Sequence, residues 1–468
     1  MASRSDQLHS HQFTLQRAVG ALAMRDPDPV SSPMRRIGGA LFASVMIAVL
    51  AVAAVGVYGV LRPGTGNAWR DGRAMIIEKE TGARYVYQDS VLYPVLNHTS
   101  AVLILGTSDS VTVSRSALAG VPRGTPMGIP GAPDPLPGPD QLVRDPWTLC
   151  SRPAAAPAGG SARGVESVLR VGSAPAGEKL AVGGGVLAVD PTGNLHLLWN
   201  SRRFALKEPG LVVDAFLWQR PSATPVSTSL LNAVPAGPDL PQVRATRSDK
   251  ASAVPGFKVG EVFVVADPSG NKLYGIALEN GVAGVTAVQA FILVADRANS
   301  TGQIKELSQG AYAAAAKQTS LIPQGDNAPP SDVPTQVRPG EQGGVCATFT
   351  SGNPVPDIAV AASVPPATGE MRSVRTAADL TQPVEFVAVP PGRGVVVESL
   401  ASAGSPAGSL AVISDLGLRF AVPTVEVLGK LGYQNVAPQR FPAALVALVP
   451  SGRALDPDAA ALPATSAV

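Results

Sequence analysis

The chain has 468 residues, 45% of them hydrophobic and only 15% charged, with a formal net charge of +2 at pH 7. That balance excludes a wholly disordered protein, and without a basic stripe it offers no electrostatic footprint for nucleic acid. Two cysteines and four histidines are too few for a zinc site, so a single disulfide is the natural use of the thiols if the part that carries them is exported.

The first predicted element is a helix over DQLHSHQFTLQRAVGALAMR, in which Leu8, Leu15, Val19 and Leu22 recur at helical spacing on one stripe. Asp26-Pro27-Asp28-Pro29 ends it, because proline disfavours helix in the residue before it. Two readings fit an amphipathic helix here: one lying on the membrane surface, and one docking on a cytoplasmic neighbour. Its polar face is not strongly basic and gives little pull toward anionic lipid, which favours docking.

The run from Ile37 to Leu61 carries no charge and exceeds the ~20 residues that a helix needs to cross a bilayer core. Arg35 and Arg36 stand immediately before it, with Arg4, Arg17 and Arg25 further back. The positive-inside rule then leaves the N-terminus in the cytoplasm and sends the remainder across. Ala51-Val52-Ala53 resembles a signal-peptidase site, but the apolar run is longer than a signal core of about 7–15 residues.

Beyond Leu61 the chain turns to short β-rich runs broken by Gly and Pro, and one pattern returns four times: apolar run, Asp-containing turn, apolar run. The copies are Arg84–Val95, Val186–Trp199, Val262–Ala277 and Leu410–Val422, each a β-hairpin around Asp89, Asp190, Asp267 or Asp415. Those aspartates suit turns, since a carboxylate can bond the backbone two residues on; a metal set is the rival explanation. Pro-rich segments with V/I-P-x-G follow three of the hairpins. One such unit cannot bury both faces alone, so the copies should pack against something shared.

The spacing of the hairpins is unequal, with Cys150 in the first long gap and Cys346 in the last. The gaps read as inserts meeting in a central β module, joined by a Cys150–Cys346 disulfide and holding GVESVLRV, EKLAVGGG, PVEFVAV and GRGVVVESL. The expected fold class is α+β. Its division is a cytoplasmic helix and linker over 1–36, a transmembrane helix over 37–61 and an exported domain over 62–468. Within the last, repeat one covers about 72–118, an insert about 119–185, repeats two and three about 186–330, an insert about 331–400 and repeat four about 401–455. A loose tail is expected over 456–468.

No catalytic, cofactor or metal residues are assigned. His98 and His196 are lone histidines, and neither H-E-x-x-H nor G-x-S-x-G occurs. LGKLGY around Lys430 lacks the glycine spacing and hydroxyl of a phosphate cradle. Taken in order, the N-terminal helix, SSPMRR and one span, YQDSVLYPVLNHTSAVLILG, PRGTPMGIPGAPDPLPGPDQL and WTLC resemble the EccB family of type VII (ESX) secretion subunits. The Pro122–Pro133 block is the most specific part, and Cys150 and Cys346 fit the family's cysteine pair. The resemblance implies a structural core subunit of an inner-membrane complex beside EccC, EccD and EccE. It implies too a homo-oligomer whose exported domain contacts peptidoglycan. A cell-envelope hydrolase acting on ATP or wall material is the alternative.

Overall fold

The computed structural model describes residues 4–24, 33–61, 68–154, 164–173, 177–218, 223–240, 247–296, 303–323, 325, 328, 330–375, 383–402 and 404–464. The chain is mixed α and β. Two long helices lead: α1, Arg4–Met24, and α2, Pro33–Leu61. Within α2, Gly38–Val57 has mean hydropathy 2.6 and is nowhere buried. A core helix would hide such a surface from water; this one needs a lipid or protein cover.

The strands follow in chain order. β1 (Met75–Glu78), β2 (Arg84–Gln88), β3 (Val91–Pro94) and β4 (Ser110–Val113) form a first sheet. β5 (Trp147–Pro153), β6 (Val165–Val171) and β7 (Glu178–Lys179) leave it for a second location. β8 (Gly184–Val189), β9 (Leu195–Trp199), β10 (Arg202–Ala205) and β11 (Thr224–Pro225) make another small sheet. So do β12 (Val262–Ala266), β13 (Lys272–Leu278), β14 (Gly281–Val285) and β15 (Lys305–Glu306). After β16 (Thr335–Gln336), which adds to β8, come β17 (Gly344–Phe349), β18 (Asp357–Ala361), β19 (Glu370–Arg372) and β20 (Phe386–Ala388). The last sheet is β21 (Gly394–Leu400), β22 (Ser409–Ser414), β23 (Arg419–Val422) and β24 (Gln439–Pro442).

Four small sheets share one order: β3-β2-β1-β4, β10-β9-β8-β11, β14-β13-β12-β15 and β23-β22-β21-β24. Each is an antiparallel three-strand meander with a fourth strand added parallel to the first. A helix carries the chain from the third strand to the fourth, as α3 (His98–Leu105) does in the first sheet. Asn97 starts α3 by accepting from Ser100 N, and Gly106 ends it at φ 72°.

The third strand of each meander would be an open edge, and in three of the four a P-x-G segment closes it. Leu92, Arg203 and Arg419 donate to the carbonyls of Pro122, Pro235 and Pro450, and accept from Gly124, Gly237 and Gly452. The missing proline N–H costs nothing, because only its carbonyl is used. In the third sheet Ala316-Lys317-Gln318 holds the same place against Val282, without proline or glycine. Each of the three glycines lies under a ring, of Tyr93, Phe204 and Phe420 respectively, where a Cβ would collide.

β5–β7 and β17–β20 come together from the two long gaps as a seven-stranded sheet, order β19-β20-β6-β5-β17-β18-β7. One face carries Trp147, Leu149, Leu169, Val345 and Phe349, buried against Val186, Leu198 and Leu230 of the second unit and Val395, Val397 and Phe441 of the fourth. Trp147 and Phe441 rings stack with centroids 4.4 Å apart.

Several sequence expectations change. The four Asp hairpins are not equivalent: Asp89 and Asp415 sit between second and third strands, Asp190 and Asp267 between first and second. Turn chemistry is local, so the same aspartate serves either turn. GRGVVVESL, read as part of the central module, is β21 and pairs with β22 over Gly394–Ser399. GGG, placed in the same module, opens β8 of the second unit, and only Glu178–Lys179 joins the central sheet. Residues 119–142, read as insert, run along the first and fourth sheets. The tail expected over 456–468 is not loose through 464: Ala460 is fully buried, and Ala464 donates to Pro126.

Candidate functional site

Cys150 and Cys346 stand opposite each other on the neighbouring strands β5 and β17 and form a disulfide with Cα atoms 4.0 Å apart. Both are fully buried, with Val168, Ala361, Val364 and Phe386 around them. Their face is opposite the one that packs on the second and fourth units, because successive residues of a strand point to opposite sides. Two residues on, Arg152 is bound by Glu370 through two nitrogens and by Glu166 at 3.6 Å, with its guanidinium 5.3 Å from the Phe386 ring centroid. Arg372 lies near the same ring at 5.0 Å. Arg170 donates to the Pro365 carbonyl, and burial pushes its pKa down. These pairs bind the sheet's outer strands to its centre, and nothing in their spacing along the chain announces them.

A second junction ties the first unit to the fourth. Arg84 pairs with Asp134 at 2.8 Å, and Asp134 also accepts from His98 N. Burial lowers the pKa of His98, opposed by the charge of Asp134. From the same Pro-rich block, Pro137 accepts from Tyr433 Oη at 2.6 Å and Val143 from Gln439 Nε2 at 2.7 Å. Burial raises the Tyr433 phenol well above its usual range. Leu103 and Ile129 share a core with Val396, Val412 and Phe420. The Gly120–Asp140 run is therefore a strap between the ends of the β-rich part.

The turn aspartates do not converge. Asp190 accepts from Thr192 N, Thr192 Oγ1 and Asn194 N at 2.7–2.9 Å, with His196 Nε2 at 3.4 Å. Asp267 accepts from Asn271 N and Nδ2. Asp415 takes Gly392 N, and Asp89 has φ 50° in its own turn. Among the described residues no group of three or more His, Cys, Asp or Glu is placed to hold a metal. Residues around Lys430 continue a helix, with Tyr433 buried.

Leu8, Leu15, Val19 and Leu22 lie along α1, with exposures of 62%, 52%, 43% and 85%. Among the described residues nothing covers the stripe. Arg35 and Arg36 fall in the first turn of α2, and their side chains lie outside the described residues, as does Asp26–Pro29.

The family model described as type VII secretion system ESX-1, transport TM domain B, matches residues 1–467. This chain belongs to the EccB family. The ESX-3 secretion system ATPase EccB3 of Mycolicibacterium smegmatis is 28% identical over 481 residues, spanning 96% of this chain and 88% of that EccB protein. The solved EccB3 dimer from the ESX-3 core complex matches with TM-score 0.64 at 27% identity, covering 83% of this chain and all of that one. A chain of the intact ESX-5 inner membrane complex matches with TM-score 0.67 over 100% of this chain and 96% of its own; at 22% identity this likeness concerns the EccB fold.

Proposed function

We propose that this protein is a structural core subunit of a type VII (ESX) secretion membrane complex, anchored by α2 and self-associating through its β-rich part. The observation that carries the reading is a family match running through anchor and β-rich part alike. The arginines ahead of Gly38–Val57 put the N-terminus in the cytoplasm and the β-rich part outside the inner membrane. There the four like-ordered sheets act as repeats around the seven-stranded module. Inside, the uncovered stripe of α1 docks on a cytoplasmic neighbour among the EccC, EccD and EccE-type subunits. Peptidoglycan contact is a further role of the exposed sheets. The word ATPase in the relatives' names keeps hydrolysis as the alternative, with ATP as its substrate; the sequence has no P-loop to serve it.

The test is Leu15→Asp with Val19→Asp. Both side chains are exposed, so the chain should still fold, whereas two charges buried unpaired at a contact would weaken docking. Native gels of solubilised membranes should lose the large complex, and export should stop. An intact complex with continued export would remove α1 as a docking element.

A further inference from the structure

A cleft of about 470 Å³ opens where the central sheet meets the second and fourth units, within the ~300–1,000 Å³ usual for small-ligand sites. Five separate stretches of chain line it, Pro191 of the turn after β8 among them. Val165 and Glu385 come from the central sheet, Thr228, Ser229 and Asn232 from the short helix after β11, and Leu448 from the segment after β24. Glu385 is half-buried, and its Oε2 accepts from Ser167 N at 2.7 Å and from Ser167 Oγ, both neutral donors. Among the described residues no Lys, Arg or His lines the cleft. Among the described residues no ion pair includes Glu385, and the buried guanidiniums of the same sheet are committed elsewhere, Arg152 to Glu166 and Glu370 and Arg170 to Pro365.

A carboxylate drawn partly out of water without a cation favours one that arrives with a ligand. We infer that this cleft binds a protonated primary amine carried on a short aliphatic stem. An ammonium brings three donors, and Glu385 with the side-chain oxygens of Thr228, Ser229 and Asn232 supplies acceptors of matching number. Val165 and Leu448 give methylenes an apolar wall, as lysine stems are usually accommodated. A guanidinium fits less well, because its planar fork wants both carboxylate oxygens and Oε2 already takes two bonds. The amine has two possible sources, a free diamine or a lysine side chain of a partner protein.

The full chain in detergent would be titrated with cadaverine, Nα-acetyl-lysine amide, Nα-acetyl-arginine amide and uncharged 1,5-pentanediol, followed by ligand-observed saturation-transfer NMR. Both amines should bind, the arginine derivative more weakly and the diol not at all. Glu385→Gln, which can still accept from Ser167, should weaken the amines at least tenfold at an unchanged melting temperature. Asn232→Leu, at an exposed position, should weaken them several-fold and guards against a folding defect in the first variant. Tighter binding of cadaverine assigns the site to a free diamine, and tighter binding of the lysine derivative assigns it to a protein side chain. Equal binding of the diol, no signal from either amine, or full binding by Glu385→Gln would overturn the inference.

Discussion

Alanine at Gly452 would place a Cβ within 2.6 Å of Phe420 Cδ1, and closer still to Cε1. Phe420 is 1% exposed and packed with Val412, Val422 and Leu428, so its ring cannot swing away. Overpacking of this kind costs about 1–3 kcal/mol. Gly452 has no positive φ, so alanine also gains about 0.4–1 kcal/mol from the stiffer unfolded chain. The net loss should be about 1–2 kcal/mol. Gly237→Ala, under the equally buried Phe204, should match it. Gly124→Ala should cost less, because Tyr93 is only half-buried and its ring can move toward water. Gly310→Ala, with nothing within 4 Å of its Cβ and a helical backbone, should be neutral or mildly stabilising. Thermal unfolding of the full chain in detergent, followed by tryptophan fluorescence, measures all four. Phe420→Leu added to Gly452→Ala should recover part of the loss, a coupling that a cycle of single and double variants isolates. If Gly452→Ala behaves as Gly310→Ala, or if Phe420→Leu recovers nothing, the ring does not rest on the strap as described.

Replacing Cys150 and Cys346 together by alanine removes a crosslink spanning 196 residues and should cost up to about 5 kcal/mol on the chain-entropy model, while reductant added to the native wild-type chain leaves both sulfurs bonded because neither is accessible; melting curves and thiol titration read the two effects. Asp190 is pushed up by burial, yet hydrogen bonds from Thr192, Asn194 and His196 outweigh this and hold it below the usual carboxylate range. Its contribution to stability is therefore complete above the unfolded-state pKa near ~4 and is lost as pH falls through the lower folded value. Acid titrations of melting temperature should show a smaller fall for Asp190→Asn than for wild type below pH ~4, and equal slopes would contradict the assignment. A reporter active only outside the membrane should work when fused after Trp69 and fail at Met24, and the reverse pattern would invert the topology.

Features set by neighbours in the chain were legible in the residues themselves. The apolar helix is legible because bilayer thickness demands a long uncharged run. The hairpins are legible because Asp and Gly chemistry acts over two to four residues. The Cys150–Cys346 pairing follows from there being only two cysteines. The Pro122–Pro133 block carried the family resemblance that the match over residues 1–467 bears out.

Tertiary structure alone decided which strands pair. Glu398 and its neighbours on β21 have the composition to enter either the central or the fourth sheet, and only the packing of Val395 and Val397 against Phe441 and Leu445 selects the latter. The added fourth strands β11 and β15 are two residues long, too short to carry any period. Equivalence of the units appears in strand order and in the P-x-G straps, whereas the aspartates that suggested it occupy different turns. Arg152 meets Glu370 across 218 residues, and Glu385 meets Ser167 across the same distance. Contacts at that separation are chosen by burial and charge after the sheets assemble, so no local pattern could have announced them.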